Sequence, residues 1–422
     1  MRAVCGMLGD PQHRFASVHV TGTNGKTTVT RMIAALLGSA GLRVGAYTSP
    51  HLQDVRERIH IDGRPISAAD LFDRLNELAG VLDRVERAHG QRVTFFEALT
   101  ALAFHHFATQ QVDAAVVEVH SGGRGDTTNI LPARIAVLGP VDLDHPRLGA
   151  RVEQVAAEKA GIVKAGVGTV VSARQRPEAA AVIARAADRV EARLLVEGRD
   201  FAAGARVATG DGQQVNLAGL GVQLDAVRLP LHGAHQATNA AIALAAAESF
   251  LSGHDPAGLG CGGWASDERA VRAGFAAVRS PGRLEPVRRP GAAPVLLDGA
   301  HNPAAARALA HALCTDFPAF TQRVLVLGIL GDKNVEAVLS ALLETADALV
   351  VTQPPSDRAA PVDRVAKAAR LAGWEPLVAP DVGRALATAS ALADPAHGVV
   401  VVTGSLYTVG AARDALGLRW SS

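Results

Sequence analysis

Short apolar, β-branched runs recur along the chain, separated by helix-length stretches rich in alanine and leucine. SVHV (17–20), RVGAYT (43–48), AAVVEV (114–119) and RIAVLG (134–139) have the character of buried strands, and 27–39 that of the helix after the first of them. Between 210 and 231 apolar and polar positions alternate, which predicts a small antiparallel patch ahead of a helix over 237–249. The Gly-, Asp- and Ser-rich stretch 253–282 reads as a boundary. A second series follows, with strands expected at 294–298, 323–328, 348–353, 375–378 and 398–403. Strands alternating with helices predict an α/β protein. Its first part would be a parallel sheet with the antiparallel patch, and its second a smaller open, doubly wound sheet.

A chain of 422 residues is long for one core, and the boundary suggests units at 1–275 and 280–422. Hydrophobic residues at 48% and charged residues at 20% fit a folded protein. Lys plus Arg (42) balances Asp plus Glu (41), so composition gives no support to nucleic acid binding. Cys5, Cys261 and Cys314 are scattered, which argues against a disulfide framework or zinc cage and suits a reducing compartment. No apolar run approaches the ~20 residues of a bilayer span. A cytoplasmic protein without membrane or nucleic acid partners is expected.

The candidate chemistry gathers at strand ends. GTNGKTT (22–28) joins the first strand to its helix. Gly22 and Gly25 let the backbone approach an anion, Lys26 adds charge, and the helix N-terminus offers N–H groups. Thr27 is placed as a Mg²⁺ or phosphate ligand. The common G-x-x-x-x-G-K-[ST] loop needs glycine where Val20 stands. Glu118 and His145 follow later strands; from the residues alone Glu118 is a metal ligand or a salt-bridged strand end, and His145 fits a structural role at least as well. Lys159, in AAEKAGI, reads as solvated helix surface. LDGAHNP (297–303) and TGSLY (403–407) repeat the strand-end logic with Asp298, His301 and Ser405, and SPGR (280–283) sets Arg283 at the boundary.

Taken together, GTNGKTT, TSPHLQDVRERI (48–59), TFFEALTALAF (94–104), GGRGDTTN (122–129), EKAGIVK (158–164), GAHQATNAAIAL (233–244), PGRLE (281–285), LDGAHNP, GDKN (331–334) and TGSLYTVG (403–410) resemble the folylpolyglutamate synthase/dihydrofolate synthase family of the Mur ligase superfamily. Ligases of this kind use a phosphate loop without the first glycine, so Val20 is the strand end. The resemblance implies a Mur-ligase-like fold, with an N-terminal P-loop ATPase domain and a C-terminal Rossmann-like α/β domain. It implies ATP-dependent joining of L-glutamate to a folate-type carboxylate through an acyl phosphate, by a monomer. ATP would be held by Gly22, Thr23, Asn24, Gly25, Lys26, Thr27 and Thr28, with Asn239 at adenine, Arg283 at the phosphates and Asp298 from the second domain. Two Mg²⁺ would be held by Thr27, Ser49, Glu118, His145 and Lys159, the lysine as a carbamate. Phe96, Glu97, Arg124, Asp126, His301 and Ser405 would face the substrates.

Four departures from the family pattern bear on the acceptor. About twenty residues precede the phosphate loop, where the family has a longer segment that helps bind dihydropteroate. His120 and Ser121 replace a glycine and an apolar residue, and Gly125 replaces a larger one. DLDHPRLG is about one residue short, and LGPVD (138–142) is atypical. These leave a Mur-type ligase acting on a non-folate carboxylate as one alternative, and an inactive nucleotide-binding regulatory protein as another.

Overall fold

The computed structural model describes residues 1–143, 146–252 and 267–419. Its first sheet has eight strands: β1 (Ala16–Thr21), β2 (Val44–Tyr47), β3 (Ile59–Ile61), β4 (Arg64–Pro65), β5 (Ala114–Glu118), β6 (Ile135–Leu138), β7 (Thr169–Ser172) and β8 (Arg193–Val196). Their order is β4-β3-β2-β5-β1-β6-β7-β8, all parallel except the β2–β3 and β3–β4 pairs at one edge. An Asp62-Gly63 turn joins β3 to β4, both residues with positive φ (51° and 74°), as a tight hairpin requires. A three-stranded antiparallel sheet follows, from β9 (Ala202–Thr209), β10 (Gly212–Ala218) and β11 (Gln223–Leu229). The second part has six strands: β12 (Glu285–Arg289), β13 (Ala292–Leu297), β14 (Gln322–Leu327), β15 (Ala348–Val351), β16 (Leu377–Val378) and β17 (Gly398–Thr403). They run in the order β12-β13-β17-β14-β15-β16, parallel but for β12.

All the strands expected from apolar runs are present. Those missed are short (β3, β4, β7, β8), lie at an antiparallel edge (β12), or, like β9, are rich in Ala and Gly and half-exposed. Between helix layers on both faces, β5 is buried at every residue, which is why it reads as a continuous apolar run. The helix Lys26–Ser39 turns Val29, Met32, Ile33, Leu36 and Leu37 inward at helical spacing. Part of the boundary stretch is ordered as the helix Glu268–Ala277, where Gly274 packs against Leu36 of that helix; 253–266 lie outside the described residues. Among the described residues no helix is long and apolar enough to cross a membrane.

Gly45, in β2, permits one tight packing contact: a Cβ there would lie 2.8 Å from the ring of fully buried Phe107. Gly45→Ala therefore destabilises the fold by roughly 1–3 kcal/mol, the usual cost of overpacking. A lowered thermal midpoint of the purified variant checks this.

Polar contacts tie the two parts together. Asp316, with a side chain inaccessible to solvent, accepts from Arg206 at 2.6 and 3.0 Å and from Gly233 N at 2.7 Å. Asn302 Nδ2 donates to Asn24 at 2.9 Å, and Thr28 and Ser280 hydroxyls meet at 3.1 Å. The loop after β2 docks on the far part through Gln53, which contacts Arg413 (2.9 Å), Asp414 (2.7 Å) and the Leu418 carbonyl (2.8 Å). Between the parts lies a cleft of about 1280 Å³.

Candidate active site

The cleft opens at the carboxyl edge of the first sheet, where central β1 runs into the phosphate loop. Gly25 takes a positive φ of 83°, and Asn239 Oδ1 would lie 2.6 Å from any Cβ there; glycine thus brings the loop onto the helix Ala234–Ser252. Thr23 is tied to the segment after β6, its N–H donating to Pro140 O at 2.8 Å and its hydroxyl to Asp142 O at 3.0 Å. The atypical LGPVD segment therefore braces the loop. Lys26 Nζ is held over it by the carbonyls of Gly22 (3.0 Å) and Thr23 (3.3 Å).

Glu118, 1% exposed at the end of β5, accepts from Thr27 Oγ1 at 3.1 Å and from Ser49 N at 3.0 Å. Burial raises its pKa, against the opposing pull of Lys26, the two hydrogen bonds and Arg283. Among the described residues no three His, Cys, Asp or Glu side chains form a metal cage. What converges is a buried carboxylate with the hydroxyl groups of Thr27 and Ser49 in one cleft, a hard-oxygen set of the kind Mg²⁺ takes beside phosphate. His145 lies outside the described residues.

Lys159 corrects the reading from periodicity. It is fully buried rather than solvated, and its Nζ donates to Gly22 O at 2.8 Å, beneath the phosphate loop. A helix of eight residues, Val152–Lys159, offers too few turns to reveal that its last residue points inward.

From the far side come Asp298, His301, Arg283 and Ser405. Asp298 is 7% exposed and accepts from Leu284 N and Ala300 N, both at 2.9 Å. Burial raises its pKa against the opposing effect of Arg283 and these N–H groups. His301 Nδ1 lies 2.8 Å from Gly299 O, so that nitrogen donates and Nε2 is left as an acceptor. Burial first, then Lys333, Arg283 and Lys26, lower its pKa to about 4 against the raising effect of Gly299. Ser405 caps the helix Leu406–Ala415.

At the other end Phe96 is 45% exposed, its ring 4.7 Å from that of His120. Two expected substrate residues lie elsewhere. Glu97 forms a capping box with Thr94 and accepts from the Met1 ammonium at 3.1 Å, so its carboxylate serves the helix start and not the cleft lining. Arg124 is exposed and lines a separate, smaller pocket, because its loop turns there to pack on Gly161. Asp126 borders both spaces, but its oxygens are taken up by its own loop.

Asp126 carries a pH prediction. Burial alone would raise its pKa, yet hydrogen bonds from His120, Thr128 and Ser121 outweigh it and hold the value at about 2. A depressed carboxylate stabilises the fold above its unfolded pKa and ceases to as pH falls through the folded one. About 2 kcal/mol of stability is therefore lost between roughly pH 4 and pH 2. Asp126→Asn removes that share of the slope of unfolding free energy against pH, measured by denaturant titration.

Sequence reasoning missed Arg58, although RERI was among the matching blocks. Its side chain is 5% exposed, lies 5.7 and 5.9 Å from the Phe95 and Phe96 rings, and donates from Nε to His51 at 2.9 Å. Nη1 has no partner among the described residues. An apolar stack around an arginine has no local sequence signature.

The middle domain of Mur ligases matches residues 20–247 and their glutamate ligase domain matches 282–406. The chain is 41% identical to a dihydrofolate synthase/folylpolyglutamate synthase of Mycobacterium tuberculosis, over 98% of this chain and 89% of that one. It is 35% identical to a folylpolyglutamate synthase of Lacticaseibacillus casei, over 97% and 92%. A solved structure of Mycobacterium tuberculosis folylpolyglutamate synthase complexed with ADP superposes with a TM-score of 0.91, at 41% identity, covering 99% of this chain and 94% of that one.

Proposed function

Because this chain belongs to the folylpolyglutamate synthase/dihydrofolate synthase family of Mur ligases, we propose that its cleft joins L-glutamate to a folate-type carboxylate at the expense of ATP. The observation that carries this is the convergence of Lys26 and Glu118 at one phosphate loop, with Lys159 buried against Gly22 of that loop, across the cleft from Arg283, Asp298 and His301 of the other part. The working units are 1–275, which holds the phosphates, and 280–422, which closes over them.

In the first step a carboxylate oxygen of the acceptor attacks the γ-phosphorus; that O–P bond forms, the bond to the β-phosphate oxygen breaks, and ADP leaves. Lys26 and the N–H groups of 22–28 stabilise the charge on the transferring group. Asn239, packed on Gly25, contacts adenine. In the second step the glutamate amine attacks the acyl carbon; the C–N bond forms, the bond from the acyl carbon to the phosphate oxygen breaks, and the proton from nitrogen leaves with the phosphate. Neutral above about pH 5, His301 is a weak base, so its Nε2 accepts from and orients the amine, and Ser405 lies beside it in the cleft wall. Closure of the two parts keeps water from the acyl phosphate.

Thr27, Ser49, Glu118 and His145 would hold Mg²⁺, which neutralises phosphate charge when bound. Lys159 would serve a second ion as a carbamate, formed when its neutral amine takes up CO₂ and releases a proton. A carbamate accounts for a lysine that is fully buried next to a phosphate loop. Phe96 offers a face for the acceptor ring, and Arg58 a guanidinium for a carboxylate.

ADP release is measured with glutamate and with dihydropteroate, tetrahydrofolate or no acceptor. The reading predicts glutamate-dependent release that needs a pterin; no stimulation by either pterin overturns it.

A further inference from the structure

His120, one of the departures from the family pattern, sits where the acceptor end of the cleft is built. Its side chain is 10% exposed and lines the cleft. Nε2 lies 3.0 Å from the Tyr47 hydroxyl; Nδ1 lies 3.2 Å from both Asp126 Oδ1 and the Thr127 hydroxyl. Asp126 is ionised and can only accept, so Nδ1 donates to it and the Tyr47 hydroxyl donates to Nε2. The ring meets those of Phe96 and Tyr47 edge-on, with centroids at 4.7 and 5.6 Å.

Asp126 is thereby used up. Oδ1 accepts from Thr128 N (3.0 Å), Thr128 Oγ1 (2.7 Å) and His120 Nδ1 (3.2 Å). Oδ2 accepts from His120 N (2.9 Å) and Ser121 N (3.0 Å). Five donors exceed the roughly four lone-pair positions of a carboxylate. The acid at this end of the cleft has no acceptor capacity left for a ligand. A glycine at 120 would vacate the place of the third donor on Oδ1, which a ligand N–H could take as the His120 ring does, and would remove the ring that supports Phe96.

We propose that His120 is a specificity-determining residue: it closes Asp126 and Tyr47 into one hydrogen-bonded set behind Phe96 and so selects against acceptors that must be held by the N–H donors of their ring. The inference rests on the ligase reading above. Dihydropteroate has a single carboxylate, the one that reacts, so its binding depends on the ring. Tetrahydrofolate brings a further carboxylate for Arg58, whose Nη1 is buried and without a partner among the described residues.

The test compares kcat/KM for dihydropteroate and tetrahydrofolate in the full-length protein, His120→Gly and His120→Gly/Asp126→Asn, with the KM for ATP measured alongside. His120→Gly is expected to raise the dihydropteroate-to-tetrahydrofolate ratio about tenfold, the worth of one charge-assisted hydrogen bond. The ATP KM should stay the same, and the double variant should return to the wild-type ratio. A ratio within about twofold of wild type, or an equal fall for both acceptors, overturns the inference and leaves the ligase reading standing. A wild-type protein inactive on both acceptors instead overturns the folate reading, and this inference with it. Should His120→Gly fail to fold, His120→Ala gives the same comparison.

Discussion

Lys159→Ala abolishes turnover, lowering kcat by about 10³-fold or more, the scale lost when a preorganised charge is removed from a transferring group. The side chain has no contact with water, and its Nζ lies 2.8 Å from the Gly22 carbonyl, so the substitution empties a space directly under the phosphate loop. The remedy distinguishes two states of the residue. A carbamate is a carboxylate on a lysine stem, so acetate or bicarbonate added to Lys159→Ala should restore part of the rate. If the working form were the ammonium, ethylamine would rescue and acetate would not. A fully active Lys159→Ala variant contradicts any role at this position.

Glu118→Gln separates stability from activity. Burial raises the pKa of Glu118, so its ionised form at neutral pH costs the ligand-free fold free energy that the protonated form does not. The sign follows: a raised carboxylate favours the fold below its unfolded pKa, and that advantage is lost as pH rises through the folded value. Glutamine keeps the shape: its oxygen can accept from Ser49 N, and its amide N–H can donate to the Thr27 hydroxyl, which then turns to the Ser49 carbonyl at 3.4 Å. The variant should therefore melt at a higher temperature than wild type at pH 7.5, with the difference vanishing below about pH 4. Activity should move the other way, falling about 10³-fold, and Mg²⁺ with ATP should raise the melting temperature of wild type more than that of the variant. A melting temperature at pH 7.5 below that of wild type would contradict the assignment of Glu118 as a strained, functionally retained carboxylate.

The architecture was legible because buried parallel strands are largely apolar; β2, β5, β6, β14 and β17 carry that signal, and β1 carries it through Val18 and Val20, with Ser17 and His19 buried between them. Strands β3 and β4 did not, being three and two residues long, with β4 at the open edge. The phosphate loop was legible from glycine, lysine and threonine at fixed spacing, since its chemistry resides in consecutive residues. Lys159 was not legible from physics alone, because burial of a helix-terminal lysine depends on a loop 137 residues away. Glu97 and Asp126, acids within matching blocks and expected at the substrate, have their oxygens engaged by a helix cap and by a loop, and of the two only Asp126 lines the cleft. Arg58 went unassigned because the aromatic rings that pack against it come from another segment.

The central claim is that the acceptor carboxylate, and not water, attacks ATP. An acceptor with both carboxylate oxygens of the reacting group labelled with ¹⁸O tests it directly, with the released phosphate read by mass spectrometry. The account predicts one ¹⁸O in each phosphate formed, since the oxygen that bonds phosphorus leaves with it. Unlabelled phosphate released in step with product would contradict it.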